Sequence, residues 1–428
     1  PGSGQNVASL GTGLITFEGG QLRMGNTRDY TDFNANIEVP ENQSGTLVAD
    51  QRCNYNGKLT GSGTLDLVLP GSIDRTIFRG DWSAFTGTIN ISGVAPMRLA
   101  STIGYSQINF NLASGMSMYF TGGTSSGDNI AQTVHIGSLS GERKTALNGE
   151  NWFIGENNQD GIFAGKIYGN SLTKLGTGSL LLADTCFYSN PTIVNGGTLK
   201  LGTFAHVSGP INVNNKAILA GSGSISGTAL INQGGSLSPG ITTIGTLTFG
   251  SDLNLKTGSI IYMDVDLSSH KNDKINAGGM ITCNGILFLQ RVGGTYSEGD
   301  QLKLFDASNY TGQFQNIIPS TPGEGLKWDT SGLYTTGILK IAVATAITEM
   351  GNSGMNIYPN PVKTELNIRL PKGWSSCQLN VFNAQGMMIY SKKVKGTFTQ
   401  IPMADFPKGI YQLRVIHENQ TRTRKIVK

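Results

Sequence analysis

Charge is scarce in this 428-residue chain. Asp, Glu, Lys and Arg together make up 14% of it, against about a quarter in an ordinary soluble domain. Disorder does not follow, because 38% of the residues are hydrophobic, and disordered segments combine low hydrophobicity with high net charge. Only four cysteines occur, Cys53, Cys186, Cys283 and Cys377. They are far apart and form no CxxC pair, which excludes a small disulfide scaffold and the close pairs of a zinc site; they read as isolated buried thiols. No apolar run approaches the roughly 18 residues of a membrane span, the longest near the C-terminal boundary being Ile341 to Ile347. Basic residues are not interleaved with stacking aromatics, and no nucleic-acid reader motif is present. The sequence begins at Pro1 with no Met and no signal peptide, so a fragment of a longer precursor or a mature form is expected, the fragment being favoured by the glycines that follow. Gly11-Thr12-Gly13 and Gly19-Gly20 already read as mid-repeat.

What the chain has instead is glycine, 59 residues of it, about twice the average share. The glycines recur in patterns. Gly176-Thr177-Gly178-Ser179-Leu180 is echoed by Gly221-Ser222-Gly223-Ser224-Ile225 and, upstream, by Gly61-Ser62-Gly63-Thr64-Leu65. Gly196-Gly197-Thr198-Leu199 is echoed by Gly234-Gly235-Ser236-Leu237 and by Gly19-Gly20-Gln21-Leu22. Such self-similarity marks a repeat array. Between the glycines lie short runs with apolar residues at alternate positions, Ile211 and Val213, then Ile218 and Ala220. Period-2 alternation gives each strand one inward face, and a single coil cannot bury that face alone, so coils must stack. The expected fold of residues 1–341 is therefore an all-β solenoid, a parallel β-helix, with about 22 residues per coil. Residues 293–341 change character and are expected to form terminal coils and a hairpin that covers the open end, since a bare terminal coil leaves unpaired backbone groups.

Residues 342–356 are small and polar and read as a linker. From residue 357 onward the pattern becomes ordinary antiparallel alternation in short runs: Leu366 to Leu370, Gln378 to Phe382, Met387 to Ser391, Ile410 to Ile416 and Arg424 to Val427. A small antiparallel β-sandwich is predicted. The net charge of +4 divides unevenly, +9 in residues 357–428 and −5 in the rest, which suggests two modules with different partners.

Two resemblances follow from particular residues. Leu172-Thr173-Lys174-Leu175-Gly176-Thr177-Gly178, Val194-Asn195-Gly196-Gly197-Thr198-Leu199, Ser238-Pro239-Gly240, Asp273-Lys274-Ile275 and Trp328-Asp329-Thr330-Ser331 make residues 171–341 resemble the autotransporter-associated β-strand repeats of bacterial surface proteins. Asp81 to Gly87 resembles the same class. The resemblance implies a right-handed β-helix exposed outside the cell and no particular activity. Residues 357–428 resemble the type A C-terminal sorting domain of the type IX secretion system, the outer-membrane export route of Bacteroidota. Tyr358-Pro359-Asn360-Pro361 matches the opening motif. Val381-Phe382-Asn383-Ala384-Gln385-Gly386 matches the middle motif, with Asn383 where aspartate is common. Phe406-Pro407-Lys408-Gly409-Ile410-Tyr411-Gln412-Leu413 matches the late motif, and Lys425-Ile426-Val427-Lys428 the basic end. This resemblance implies recognition by the translocon and shuttle of the outer membrane, often followed by cleavage by a surface sortase. The implied signal residues are Tyr358, Pro359, Asn360, Pro361, Gly386, Gly409, Tyr411, Lys425 and Lys428. Read without the family, the prolines stiffen the approach to the first strand and Gly386 and Gly409 suit hairpin turns. The charges of the last strand then protect an exposed edge or form a docking surface; both readings stand.

Other motifs have blander readings. Gly123-Thr124-Ser125-Ser126-Gly127 has the form of a hydrolase elbow but lacks a following helical period. Gly221 to Gly227 mimics a nucleotide loop without its spacing. Asp264 and Asp266 share a strand face, with His270 and Asp273 nearby, and could serve acid–base chemistry on a sugar or hold calcium; an outward polar face followed by a loop explains them as well. Gly155 to Gly161, with Glu156, Asn157, Asn158 and Asp160, could also hold calcium, but such residues favour turns without an ion. No other cofactor is expected. Arg79-Gly80-Asp81 matches an adhesion tripeptide in a strand-rich setting and reads as chance. His135, His206 and His417 show no ligand partner in sequence. The expectation is an exported, surface or extracellular β-helix protein of a Gram-negative bacterium, a spacer, stalk or adhesin-like body with surface polysaccharide as a possible partner. The competing class is a polysaccharide-active lyase or glycosidase, or the non-catalytic part of one whose catalytic domain lies upstream.

Overall fold

The computed structural model describes residues 11–25, 31–50, 53–71, 76–100, 104–121, 133–344, 355–371, 373–374, 376–383, 386–418 and 420–428. It contains strands and turns, and no helix among the described residues. The chain divides into two compact units, Pro1–Val343 and Ala344–Lys428.

The first unit is a parallel β-solenoid with three faces. A typical coil contributes Ser171–Lys174, Ser179–Leu182 and Thr185–Phe187. The next contributes Thr192–Val194, Gly197–Leu201 and His206–Val207. Each strand pairs in parallel with its counterpart one coil on, so that Leu180, Leu199, Leu219 and Leu237 stack in one column. All four are buried. The period-2 alternation is realised, but in the strand Ala217–Gly221 one residue out of step with the sequence reading of Ile218 and Ala220: Ala217 and Leu219 face inward, and Ile218, like Leu181 and Lys200, points outward and is only partly covered. The longest ladder runs from Gln21–Gly25 to Asn316–Ile318. Its step is not a uniform 22 residues. Leu219 to Leu237 is 18 and Leu287 to Ile317 is 30, because the connections vary while the strand spacing of about 4.8 Å does not.

The core changes along the axis. From residue 172 to 289 it is filled mainly by Leu, Ile and Val. Nearer the N-terminus it is aromatic: Phe33, Tyr55, Phe78, Trp82, Tyr105, Phe120 and Trp152 form a continuous series of rings with neighbouring centroids 5.2–6.3 Å apart. Edge-to-face packing of this kind favours specific ring geometry as well as burial. Large rings fill this end of the solenoid.

Close coil stacking also explains the glycines. Gly221 has φ +116°, and a Cβ built there would lie 2.0 Å from the carbonyl oxygen of Leu201. At the C-terminal end Gln301–Lys303, Ile338–Val343 and Leu326–Asp329 form a three-stranded antiparallel sheet. Leu302, Leu333, Leu339 and Ile341 of this segment join the solenoid core. The four cysteines are free and buried.

The second unit has an apolar core of its own, built from residues such as Leu366, Ile368, Leu379, Val381, Ile401, Leu413, Val415 and Ile426. Two antiparallel sheets surround it. One joins Asn356–Tyr358, Glu365–Arg369 and Phe398–Pro402. The other has the order Met388–Lys395, Ser376–Phe382, Ile410–His417, Gln420–Val427. Two of these strands, Asn356–Tyr358 and Phe398–Pro402, escape the sequence reading; Phe398–Pro402 buries only Thr399 and Ile401, a weak alternation. The last strand starts at Gln420 rather than Arg424, since its inward positions before Ile426 carry arginines instead of apolar residues.

Candidate functional site

The sequence-derived signal residues are spread over 71 positions from Tyr358 to Lys428. Strand register brings them to one end of the second unit. In the four-stranded sheet Phe382 pairs with Gln412 and Gln412 with Lys425, so the turn after Phe382, the segment before Ile410 and the end of the last strand all lie at the same edge. Asn360 joins them from the other side. Its carboxamide nitrogen donates to the carbonyl of Lys425 (2.9 Å) and its oxygen accepts from the amide of Val427 (2.8 Å). The amide of Val362 then donates to the carbonyl of Val427 at 2.8 Å. Asn360 is thus a clamp on the backbone of the basic end.

Lys428 closes the same end. Its ammonium donates to the carbonyls of Met403, Ala404 and Phe406, and its backbone exchanges two hydrogen bonds with Gly409 (2.9 and 3.0 Å). Gly409 therefore does not sit in a hairpin turn; it extends the strand Ile410–His417 opposite the last residue of the chain. Gly386 does sit in a turn, where Asn383 accepts from the amide of Met387 at 2.9 Å through its side-chain oxygen. A carboxylate could accept in the same way, which accounts for asparagine at that position. Tyr411 is buried, donates its hydroxyl to the carbonyl of Pro407 and packs edge-on against Phe406. Tyr358, Met387, Met388 and Ile410 are exposed around this end, and Lys425 points outward. The peptide bonds before Pro359 and Pro361 are cis.

Comparison with known proteins bears on this end of the chain. Residues 356–428 match the family described as the secretion system C-terminal sorting domain. The tail is a type IX sorting domain. The four motifs that the sequence carries in order are, in the structure, four neighbouring parts of this sorting domain. No curated protein matches the chain. Among solved structures, the crystal structure of the Haemophilus influenzae Hap adhesin is similar with a TM-score of 0.34 and 12% identity, over 78% of this chain and 48% of that one. The chain thus spans about half the length of that structure. A parallel β-solenoid followed by a type IX sorting domain is an exported protein. No helix among the described residues is long and apolar enough to cross a membrane.

The tempting constellations of the solenoid are engaged in holding its own backbone. Asp264 and Asp266 do share an outward face. Asp266 accepts from the amide of Ser268 and the hydroxyl of Ser269, at 2.9 and 2.7 Å. The Ser269 hydroxyl is the main cause that holds its carboxyl below the usual range. Asp273 is 1% exposed and accepts from the amides of Gly245 and Asp264, both at 2.8 Å. In the Gly155–Gly161 turn, Asn158 and Asp160 accept from the amides of Thr177 and Ser179 on the next coil, at 2.9 and 2.7 Å. Glu156 pairs with His135, which also stacks on Phe153. His206 lies between the hydroxyls of Ser224 and Ser226, and His417 reaches the carbonyl of Ser376 and stacks on Trp374. The histidines therefore have partners that sequence distance concealed. Gly80 is buried, and a Cβ there would lie 1.7 Å from the carbonyl of Gly57; Asp81 caps the amide and hydroxyl of Ser83. Arg79-Gly80-Asp81 is thus a structural corner. Gly123 to Gly127 lies outside the described residues. No group of three or more His, Cys, Asp or Glu side chains among the described residues is placed to hold a metal ion.

Asp273 makes a pH prediction. Burial pushes its carboxyl up to about 6 from an ordinary 3.8, against the pull of its two amide donors. Between those values the folded chain keeps a proton that the unfolded chain has released, so the unfolded state binds fewer protons and stability falls as pH rises. Asp273→Asn removes this contribution. The difference in urea midpoint between variant and wild type should therefore change from pH 4 to pH 6 in the variant's favour and then level off; a pH-independent difference would refute the assignment.

Proposed function

We propose that the export machinery reads the end of the sorting domain where Asn360, Gly386, Gly409 and Lys425–Lys428 meet, and that residues 1–343 are the displayed body, a surface spacer or stalk. The observation that carries the first part is the double hydrogen bond of Asn360 to the backbone of Lys425 and Val427. It ties the opening motif to the basic end, so a receptor that touches one touches the other. Tyr358, Pro359, Pro361 and Tyr411 shape that end, Lys425 offers it a cation, and the partners are a translocon, its shuttle and a sortase that cuts within residues 342–356. Most of that segment, residues 345–354, lies outside the described residues.

Support for the second part lies in the polar ladders along the solenoid. Asn232 donates to Asn214 and Asn214 to Asn195, each at 2.7 Å across successive coils. Asn111, Asn90 and Asp66 form a similar ladder with bonds of 3.2 and 2.8 Å. Such ladders satisfy side chains coil by coil and suit a regular rod. Fusing residues 342–428 to a fluorescent protein tests the export reading. The fusion should leave a type IX-competent cell; retention in the periplasm, while a known cargo is exported, would show that the domain is only a folded tail.

A further inference from the structure

The face of the solenoid built from Thr185–Phe187 and its counterparts carries an outward column in strict register: Arg98, Tyr119, Asn148, Tyr168 and Phe187. Three of the five are aromatic and exposed, Tyr119 at 37%, Tyr168 at 38% and Phe187 at 43%. Tyr168 and Phe187 stack nearly parallel, with centroids 5.0 Å apart and planes 8° from each other. Phe187 therefore covers one face of the Tyr168 ring, and the other face looks back toward the coil of Asn148. On the far side the Arg98 guanidinium lies over the Tyr119 ring at 5.7 Å. Asn148 is the gap between two aromatic rungs. Two coil steps of about 4.8 Å leave about 9.6 Å between those rungs, room for one ring-shaped ligand in contact with an aromatic face.

A groove of about 520 Å³ opens at this place, lined by Asn148, Gly149, Glu150, Tyr168, Gly169 and Asn170. Its polar groups are of a particular kind. The Asn148 carboxamide nitrogen is one of eight buried side-chain polar atoms among the described residues that have no hydrogen-bond partner. Glu150 adds a carboxylate acceptor. Asn170 is fixed by hydrogen bonds with Asn151 and Asn190. Beneath the groove Trp152 donates its indole N–H to the Tyr168 carbonyl at 3.0 Å, which anchors the rung that carries the exposed ring. Gly149 and Gly169 are needed for the same reason: a Cβ at either would come within 2.7–2.9 Å of the Trp152 indole. The floor is kept low by the residue under it.

We infer that this groove binds a neutral saccharide, one hexopyranose unit lying against Tyr168 with its hydroxyls on Asn148 and Glu150. The C–H face of a pyranose is complementary to the negative face of an aromatic ring, and vicinal hydroxyls match the Glu150 carboxylate and the Asn148 carboxamide that line the groove. The groove lining contains a carboxylate and no Lys or Arg, the cations of this face, Arg98 and Lys166, being laid over the Tyr119 and Phe187 rings to either side; a neutral sugar fits that lining better than a uronic acid. Few polar groups beside an exposed ring suit specificity more than tight binding. This inference goes beyond the export reading and does not rest on it.

The test is isothermal titration of the full chain with cellohexaose, maltohexaose, laminarihexaose and mannohexaose, with polygalacturonate as the acidic probe. Wild type should bind at least one neutral hexasaccharide. Tyr168→Ala should weaken that binding about tenfold or more, the effect of roughly 1.4 kcal/mol, Tyr168→Phe should keep it, and Asn148→Ala should weaken it without altering the melting temperature. Asn148→Ala also serves if Tyr168→Ala fails to fold, because Asn148 has no hydrogen-bond partner to lose at that atom. Binding of no neutral hexasaccharide, binding indifferent to both Tyr168→Ala and Asn148→Ala, or preference for polygalacturonate would each overturn the inference.

Discussion

A chain lacking Lys425–Lys428 should remain in the periplasm with its solenoid intact. The deletion removes two cations, the buried Ile426 and the hydrogen bonds by which Val427 and Lys428 meet Asn360, Gly409 and the carbonyls of Met403, Ala404 and Phe406. Lost bonds from a charged group are worth about 1.5–3 kcal/mol, so the motif end should lose its shape as well as its charge. Each unit has its own core, so the solenoid should be unaffected. Point variants separate recognition from folding. Asn360→Asp retains the acceptor for the Val427 amide but not the donor to the Lys425 carbonyl, and Asn360→Ala removes both. Export, followed as the ratio of extracellular to periplasmic protein, should fall in the order wild type, Asn360→Asp, Asn360→Ala, deletion. The last step should exceed about tenfold, the effect of 1.4 kcal/mol on a recognition equilibrium. Normal export of the deletion would remove the motif end from the signal.

Gly221→Val should break the stack in the middle of the solenoid. Two penalties combine there. The backbone at φ +116° is one that a β-branched residue avoids, and the new Cβ would meet the Leu201 carbonyl oxygen at 2.0 Å, so backbone has to move on one of two coils. Strain of this kind costs about 1–3 kcal/mol, and the clash with a carbonyl that cannot give adds to it; a total above about 3 kcal/mol is expected. Because coils contact only their neighbours, the damage should spread as local opening of adjacent coils rather than as uniform loosening. Hydrogen exchange should show lost protection around residues 197–240 and retained protection near residue 286. Gly299→Ala is the control: its φ is +90° and a Cβ there meets nothing within 4 Å, so it should cost only the strain. Equal effects of the two substitutions would mean that close coil contact is not what the glycine serves.

The sequence by itself determined the class of each unit. Alternation at period 2 with glycine corners admits stacked strands and little else, and residues such as Leu180, Leu199 and Leu237 are buried as that pattern requires. The sorting motifs were legible because they are short runs of fixed residue types. Only the tertiary structure decided which residues become neighbours across coils. In a parallel stack that depends on the length of every intervening connection, and the step from coil to coil runs from 18 to 31 residues. Tyr168 and Phe187 are ordinary outward residues until register lays one ring on the other. Asn148 and Tyr168 line one groove, and Asn360 grips a strand more than sixty positions away, for the same physical reason: hydrogen bonding between strands fixes side-chain neighbours at distances along the chain that no local pattern encodes.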